Sequence, residues 1–201
     1  MKIETVKIAG IVLAGGRSSR MGQEKLFVSL GQRPVLAHVL ERFAPQVGPL
    51  ALSANGDAAR FASFDLPVLA DHADHQDQGP LAGLLAGLAF ARAQGATHLA
   101  TVPGDAPFLP RDLVATLTAA LSHPNLIAIA RGAEGLEPMF ALWPVALEAD
   151  VQRAYLAGER AIYKIALAHH HKTVRFESAT AFFNLNTPED VVRAEGLLGI
   201  E

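Results

Sequence analysis

Two hydrophobic periods share this chain. Residues 8–14 form an unbroken apolar run, rich in β-branched side chains, that stops at Gly15-Gly16. Such a run is too short for a comfortable helix and predicts a strand buried on both faces. From Pro34 to Ala44 the period changes. Val35, Leu36, Val39, Leu40 and Phe43 recur at helical spacing, and Pro34 suits the first helical position. A short strand follows over 50–54, ending at Asn55-Gly56, then a short helix over 58–64 and a strand over 67–70 that ends at Asp71. Residues 80–92 predict a helix opened by Pro80, with Leu81, Leu84, Leu85, Leu88 and Ala89 on one face. Beyond it the pattern predicts a strand over 97–102, a helix over 111–122, and strands over 126–130 and 137–144. Helices over 145–156 and 160–169, parted by Gly158, a strand over 172–176 and a helix beginning at Pro188 complete the chain.

Strands and helices in alternation predict parallel strands in a layered α/β fold with a Rossmann-like, three-layer arrangement. The strands at 126–130 and 137–144 are close enough to pair as a hairpin, so the central sheet should be predominantly parallel but mixed. Ligands of such sheets sit beyond the carboxyl ends of the strands. Gly15, Asn55 and Asp71 all fall at predicted strand ends. Gly83 and Gly87 lie inside the helix over 80–92, where glycine costs about 1 kcal/mol relative to alanine. Two of them on one helix predict close packing against a strand.

With 201 residues, the chain is long enough for one good core and reads as a single domain over 1–201. Half of it is hydrophobic and 18% is charged, the balance of a globular protein. No apolar stretch approaches the length of a membrane span, and no membrane partner is expected. A net charge of −3 argues against a nucleic-acid binder, which would carry a basic face. The absence of cysteine excludes thiol catalysis, disulfides and thiolate metal sites. With an N-terminus that runs straight into the first strand, the expectation is a cytoplasmic enzyme.

The densest chemistry is G-G-R-S-S-R-M-G-Q-E-K, residues 15–25. Glycines let backbone N–H groups approach a ligand closely, and Arg17, Arg20 and Lys25 supply positive charge in the same loop. That combination suits a polyphosphate. Neither common phosphate motif fits, since five residues rather than four separate Gly16 from Gly22, Gln23 follows, and the first glycines are adjacent. A second signal is P-G-D-A-P-F-L-P, residues 103–110, which sets Asp105 just past a buried strand between prolines. One rigidly placed carboxylate of this kind suits Mg²⁺ shared with phosphate oxygens. The segment D-H-A-D-H-Q-D-Q at 71–78 holds metal-ligating residue types, but with no regular element to fix them the plainer expectation is a solvated acidic loop. His169, His170 and His171 sit at a predicted helix end, where imidazolium is electrostatically favoured without any ligand. Near the C-terminus, Asn186 or Thr187 should cap the last helix, with Glu189 and Asp190 at its positive end; Asn184 is not needed for that cap.

Four stretches together resemble one family. L-A-G-G-x-S-x-R-M-G-x-x-K (13–25), G-P-L-A-G (79–83), P-G-D-A-P-F (103–108) and N-x-N-T-P-E-D (184–190) are similar to the molybdenum cofactor guanylyltransferases of the nucleotidyltransferase superfamily. The resemblance implies that superfamily's three-layer fold and transfer of GMP from GTP to the molybdenum-bearing molybdopterin, with release of pyrophosphate. It implies nucleotide binding at Leu13, Ala14 and Gly15, with Lys25 and Arg20 on the triphosphate and Mg²⁺ on Asp105. Asn55 and Asp71 would contact base or ribose, and Asn184 and Asn186 would face the acceptor. Transient contact with cofactor-delivery proteins would accompany that role. Glu137 departs from the family, which more often has another polar residue before the proline. A cytidylyltransferase or sugar-nucleotide-forming enzyme of the same fold, and a non-catalytic nucleotide-binding module, are the alternatives.

Overall fold

The computed structural model describes residues 6–15, 25–70 and 79–198. Arg17, Arg20, Gly22 and the acidic segment 71–78 with Asp71 lie outside the described residues. Nine strands are defined among those described: β1 (Ile8–Leu13), β2 (Ser29–Leu30), β3 (Arg33–Pro34), β4 (Leu50–Ser53), β5 (Val68–Leu69), β6 (His98–Pro103), β7 (Ile127–Arg131), β8 (Leu136–Pro144) and β9 (His171–Arg175). The helices are α1 (Val35–Phe43), α2 (Pro80–Ala93), α3 (Leu113–Ala119), α4 (Glu148–Leu156), α5 (Ile162–Ala168) and α6 (Pro188–Leu198). Seven strands form one sheet in the order β5-β4-β1-β6-β8-β7-β9. β1 pairs in parallel with β4 and β6, β4 with β5, and β7 with β9. β8 is antiparallel to both β6 and β7, so it alone opposes the common direction among the seven strands described in this sheet. The mixed, mainly parallel sheet and the 126–144 hairpin agree with the sequence pattern.

Side chains of the central strands alternate between two cores. Ala9, Ile11 and Leu13 of β1 point to one face with Leu81, Leu84 and Leu88 of α2, and with Ile162 and Ile165 of α5. Val12 points to the other face with Leu36, Val39 and Phe43 of α1, and with Val114 and Leu117 of α3. A strand between two apolar layers needs both of its faces hydrophobic, which is why β1 reads as a continuous run. Gly83 and Gly87 are required by this packing. A Cβ on Gly87 would lie 2.8 Å from Leu99 Cδ2 and 2.9 Å from Ile11 Cδ1, and one on Gly83 would lie 2.7 Å from Ser53 Oγ.

Several boundaries differ from the sequence pattern. Residues Ala58–Phe64 wind as a 3-10 helix rather than an α-helix. Asp57 starts it by accepting the Ala59 N–H, Asp65 stops it in the left-handed region at φ 51°, and only Phe61 is buried, too little to hold an α-helical stripe. The helix expected from 145 begins with a 3-10 turn at Val145–Leu147. The one expected over 111–122 is confined to Leu113–Ala119, because Pro110 and Asp112 occupy its entry turn and Ser122-His123-Pro124 cannot extend it. The β2–β3 hairpin has no apolar signature. Its strands are two residues each, joined through Gly31 at φ 63°. A third cluster, Leu30, Val35, Phe108, Leu185 and Ala194, seats α6 on this hairpin.

Candidate active site

The carboxyl ends of β1, β4 and β6 meet along one edge of the sheet, held in register by backbone bonds. The Ala14 N–H donates to Ser53 O at 2.8 Å, and the Gly104 N–H to Leu13 O at 3.0 Å. Leu13 and Ala14 are buried, whereas Gly15 is exposed. Nothing in the described protein comes closer than 4.0 Å to the point where a Gly15 Cβ would sit. Packing therefore does not explain this glycine; backbone open to an incoming group does.

Lys25 is delivered to this edge by a 3-10 turn, Lys25–Phe27. Leu26 and Phe27 pack against the core, and the Phe27 ring centroid lies 5.4 Å from that of Phe61. The turn can sit so low because residue 104 is glycine: a Cβ there would lie 2.8 Å from Leu26 Cδ2. Lys25 Nζ donates to Asp105 Oδ2 at 3.1 Å and to Asn186 Oδ1 at 2.8 Å. The Lys25 and Asp105 side chains are 24% and 18% exposed, so the ion pair is set into the edge yet reachable. Residues 25, 105 and 186 are distant in the chain, and the fold unites them.

Asn186 is positioned by the start of α6. Thr187 is the residue that caps this helix, its Oγ1 accepting the Asp190 N–H at 3.2 Å. The Asp190 carboxylate returns the bond, accepting from the Thr187 and Asn186 N–H groups at 3.0 Å each. This reciprocal arrangement is a capping box with aspartate in the usual glutamate position. Burial opposes ionisation of Asp190, but the two backbone N–H groups, the Thr187 hydroxyl and Arg193 outweigh it and hold the carboxyl below its ordinary range. The Leu185 N–H donates to Asp105 O at 2.9 Å, which ties the two loops together. Asn184, just before, has Oδ1 shut away from solvent and without a hydrogen-bond partner among the described residues.

Of the remaining candidates, Asn55 lies past the end of β4, and its carbonyl accepts from Arg60 Nη2 at 2.8 Å. Arg20 and Asp71, outside the described residues, are not placed. His169 ends α5 with Nδ1 donating to Ile165 O at 2.9 Å and Nε2 3.3 Å from Asp150 Oδ2, so its ring is held by the helix end and a neighbouring carboxylate. Two features carry no isolated sequence signal: the packing role of Gly104 and the carboxylate arm of the cap at Asp190. Glycine before Asp105 and T-x-x-D before a helix were the available signs.

The donor set suits a divalent cation shared with a ligand. Asp105 has a second carboxylate oxygen, and among the described residues no group of three or more His, Cys, Asp or Glu is arranged for a metal. One carboxylate is what Mg²⁺ takes when phosphate oxygens and water complete its shell. The same edge thus offers open glycine backbone, an ammonium and a lone carboxylate, the requirements of a nucleotidyltransferase. The model of the MobA-like NTP transferase domain matches residues 10–174. A molybdenum cofactor guanylyltransferase of Cereibacter sphaeroides is 45% identical over 194 residues, covering 96% of this chain and 98% of that protein. One from Mesorhizobium japonicum is 46% identical over 201 residues, covering 95% and 96% of the two chains. Among solved structures, molybdopterin-guanine dinucleotide biosynthesis protein A from Archaeoglobus fulgidus superposes with a TM-score of 0.75 at 23% identity, over 98% of this chain and 100% of that one. The chain belongs to the MobA-like NTP transferases and, within them, to the molybdenum cofactor guanylyltransferase family. No helix among the described residues is long and apolar enough to cross a membrane.

Proposed function

We propose that the protein transfers GMP from GTP to the terminal phosphate of the molybdenum-bearing pterin, releasing pyrophosphate. An acceptor phosphate oxygen attacks the α-phosphorus in line; the new P–O bond forms as the bond to the β-phosphate oxygen breaks. Two polyanions repel, so positioning and charge neutralisation are the main demands on the protein. The observation that carries this reading is the Lys25 ammonium, set between Asp105 and Asn186 at the carboxyl edge of the sheet. Lys25, joined by Arg20, holds the triphosphate, and the open backbone of Leu13, Ala14 and Gly15 cradles it. Asp105 is the residue that would hold Mg²⁺, which when bound supplies positive charge to the phosphate oxygens. Asn55 and Asp71 would contact base or ribose; a carboxylate can accept from guanine N1–H and N2–H together. Asn184 and Asn186 face the acceptor, and the contact of Asn186 Oδ1 with Lys25 Nζ at 2.8 Å supports that placement for Asn186.

The test is pyrophosphate release with molybdopterin acceptor and Mg²⁺, comparing GTP, CTP, ATP and UTP. GTP should dominate, and it should also raise the melting temperature most. Release driven best by CTP would reassign the base, and release with none of the four would remove the reading.

A further inference from the structure

The strand ends along the carboxyl edge follow the sheet order. Asn55 follows β4, Gly15 follows β1, Asp105 follows β6, and the start of β8 and end of β7 come next. With base and phosphates at the first three, as proposed above, the acceptor falls to the β8–β7 corner. Residues 182–185 span that corner. Phe182 lies against Gly132, its Cδ2 2.8 Å from where a Cβ there would be, and Leu185 is bonded to Asp105. Phe182 also packs on Phe140 with ring centroids 4.7 Å apart and meets Phe176 edge-on at 5.5 Å, a closely packed aromatic cluster under the corner.

Glu137 stands at this corner. It is paired with Ala130, whose side chain belongs to the same core layer as Phe182 and Phe140, so Glu137 points to the aromatic side of the sheet. Its Oε1 comes within 3.7 Å of the Gly132 Cβ point that Phe182 also approaches. The carboxyl makes no hydrogen bond or ion pair with any described residue. A half-buried carboxylate without donors, at the margin of a packed apolar cluster, lacks a ligand that presents N–H groups along one edge. A metal ion is not served, because the other carboxylate nearby, Glu134, is a like charge with no further ligand group beside it.

We propose that Glu137 recognises the pterin of the acceptor, its two carboxylate oxygens accepting the N3–H and the 2-amino N–H of the aminopyrimidinone edge. This rests on the assignment of a pterin acceptor under guanylyl transfer. Burial, with Glu134 adding to it, pushes the Glu137 carboxyl above its ordinary range, so its charged form gains from the two donors the pterin brings.

The test uses intact protein and pterin fluorescence. Wild type, Glu137→Gln and Glu137→Ala are titrated with pterin-6-carboxylate and with lumazine-6-carboxylate, which has a 2-oxo group in place of the 2-amino group. Wild type should prefer the pterin by roughly ten- to a hundredfold, the size of one unmatched polar contact in a partly buried site. Glu137→Gln should erase or reverse that preference, because its amide accepts from N3–H and donates to the 2-oxo group. Glu137→Ala should bind both weakly and alike. The same preference in all three proteins, or no binding of either compound by wild type, overturns the proposal. A preference that Glu137→Gln removes, in a protein that transfers no GMP, would retain the pterin contact and dismiss guanylyl transfer. GMP transfer with an unmoved preference would do the reverse.

Discussion

Replacing Lys25 by methionine keeps most of the side-chain volume and removes the ammonium. Two contacts disappear: 3.1 Å to Asp105 Oδ2 and 2.8 Å to Asn186 Oδ1. Charge-assisted hydrogen bonds contribute about 1.5–3 kcal/mol each where solvent is excluded. Here both partners of the ion pair still see water, at 24% and 18% exposure, so about 1–2 kcal/mol for the two together is the reasonable scale. In a chain of this length that lowers the melting temperature by about 3–6 °C. Native proteins have roughly 5–15 kcal/mol in hand, so the variant stays folded at the assay temperature. The loss of transition-state charge stabilisation is larger, on the order of 3 kcal/mol, or about a hundredfold in kcat/KM. Pyrophosphate release and thermal melts on the same preparation separate the two effects. The reasoning fails if kcat/KM stays within twofold of wild type. It also fails if the melting temperature drops so far that unfolding alone accounts for the lost rate.

Asp105→Asn should melt close to wild type yet lose Mg²⁺-dependent turnover; wild-type-like turnover at saturating Mg²⁺ would remove Asp105 from the metal. Asp190→Asn should cost about 1 kcal/mol through the lost cap, near 3 °C in melting temperature. Because the folded carboxyl titrates below its ordinary value, this stability is fully present above pH ~4 and fades as pH falls through the lower folded value. Equal destabilisation of the variant at pH 7 and pH 2 would contradict the cap. Gly83→Ala and Gly87→Ala should both destabilise by about 1 kcal/mol, as overpacking outweighs the gain in helix propensity. Only Gly83→Ala should also raise KM for GTP, since its Cβ would press on Leu13 Cδ2 at 2.9 Å. Identical kinetics for the two variants would deny that Leu13 belongs to the nucleotide loop.

The sequence made legible whatever one element decides for itself. β1 and β6 needed both faces apolar, and the paired glycines of α2 signalled close packing before any strand was assigned to face them. The cap of α6 was narrowed to two residues, and the geometry selects Thr187. Strand order was beyond reach, because the β6–β8 and β7–β9 pairings join strands far apart in the chain. The 3-10 winding of 58–64 was also hidden, since apolar spacing over seven residues does not separate it from one α-helical stretch. Lys25, Asp105 and Asn186 were each singled out, but their meeting depends on Gly104 admitting Leu26. That is a steric fact about one missing methyl, and no local pattern records it.

The direction of β8 has a consequence for how the chain reaches its native state. The parallel pairings of β1, β4, β6 and β9 join segments separated by whole crossovers, and such loops close slowly. β7 and β8 are joined by residues 132–135 alone, bridged by the Gly132 N–H to Gly135 O bond at 2.9 Å. A hairpin of that size forms in about 1–10 μs. Once made, it presents the free edge of β8 as a ready template on which β6 can zip antiparallel, through Thr101 and its bond to Met139 O at 2.8 Å. The strand that runs against the sheet is thus the one best placed to nucleate it. Slowing the hairpin, for instance by lengthening 132–135, should delay folding of the whole domain while leaving its unfolding rate nearly unchanged.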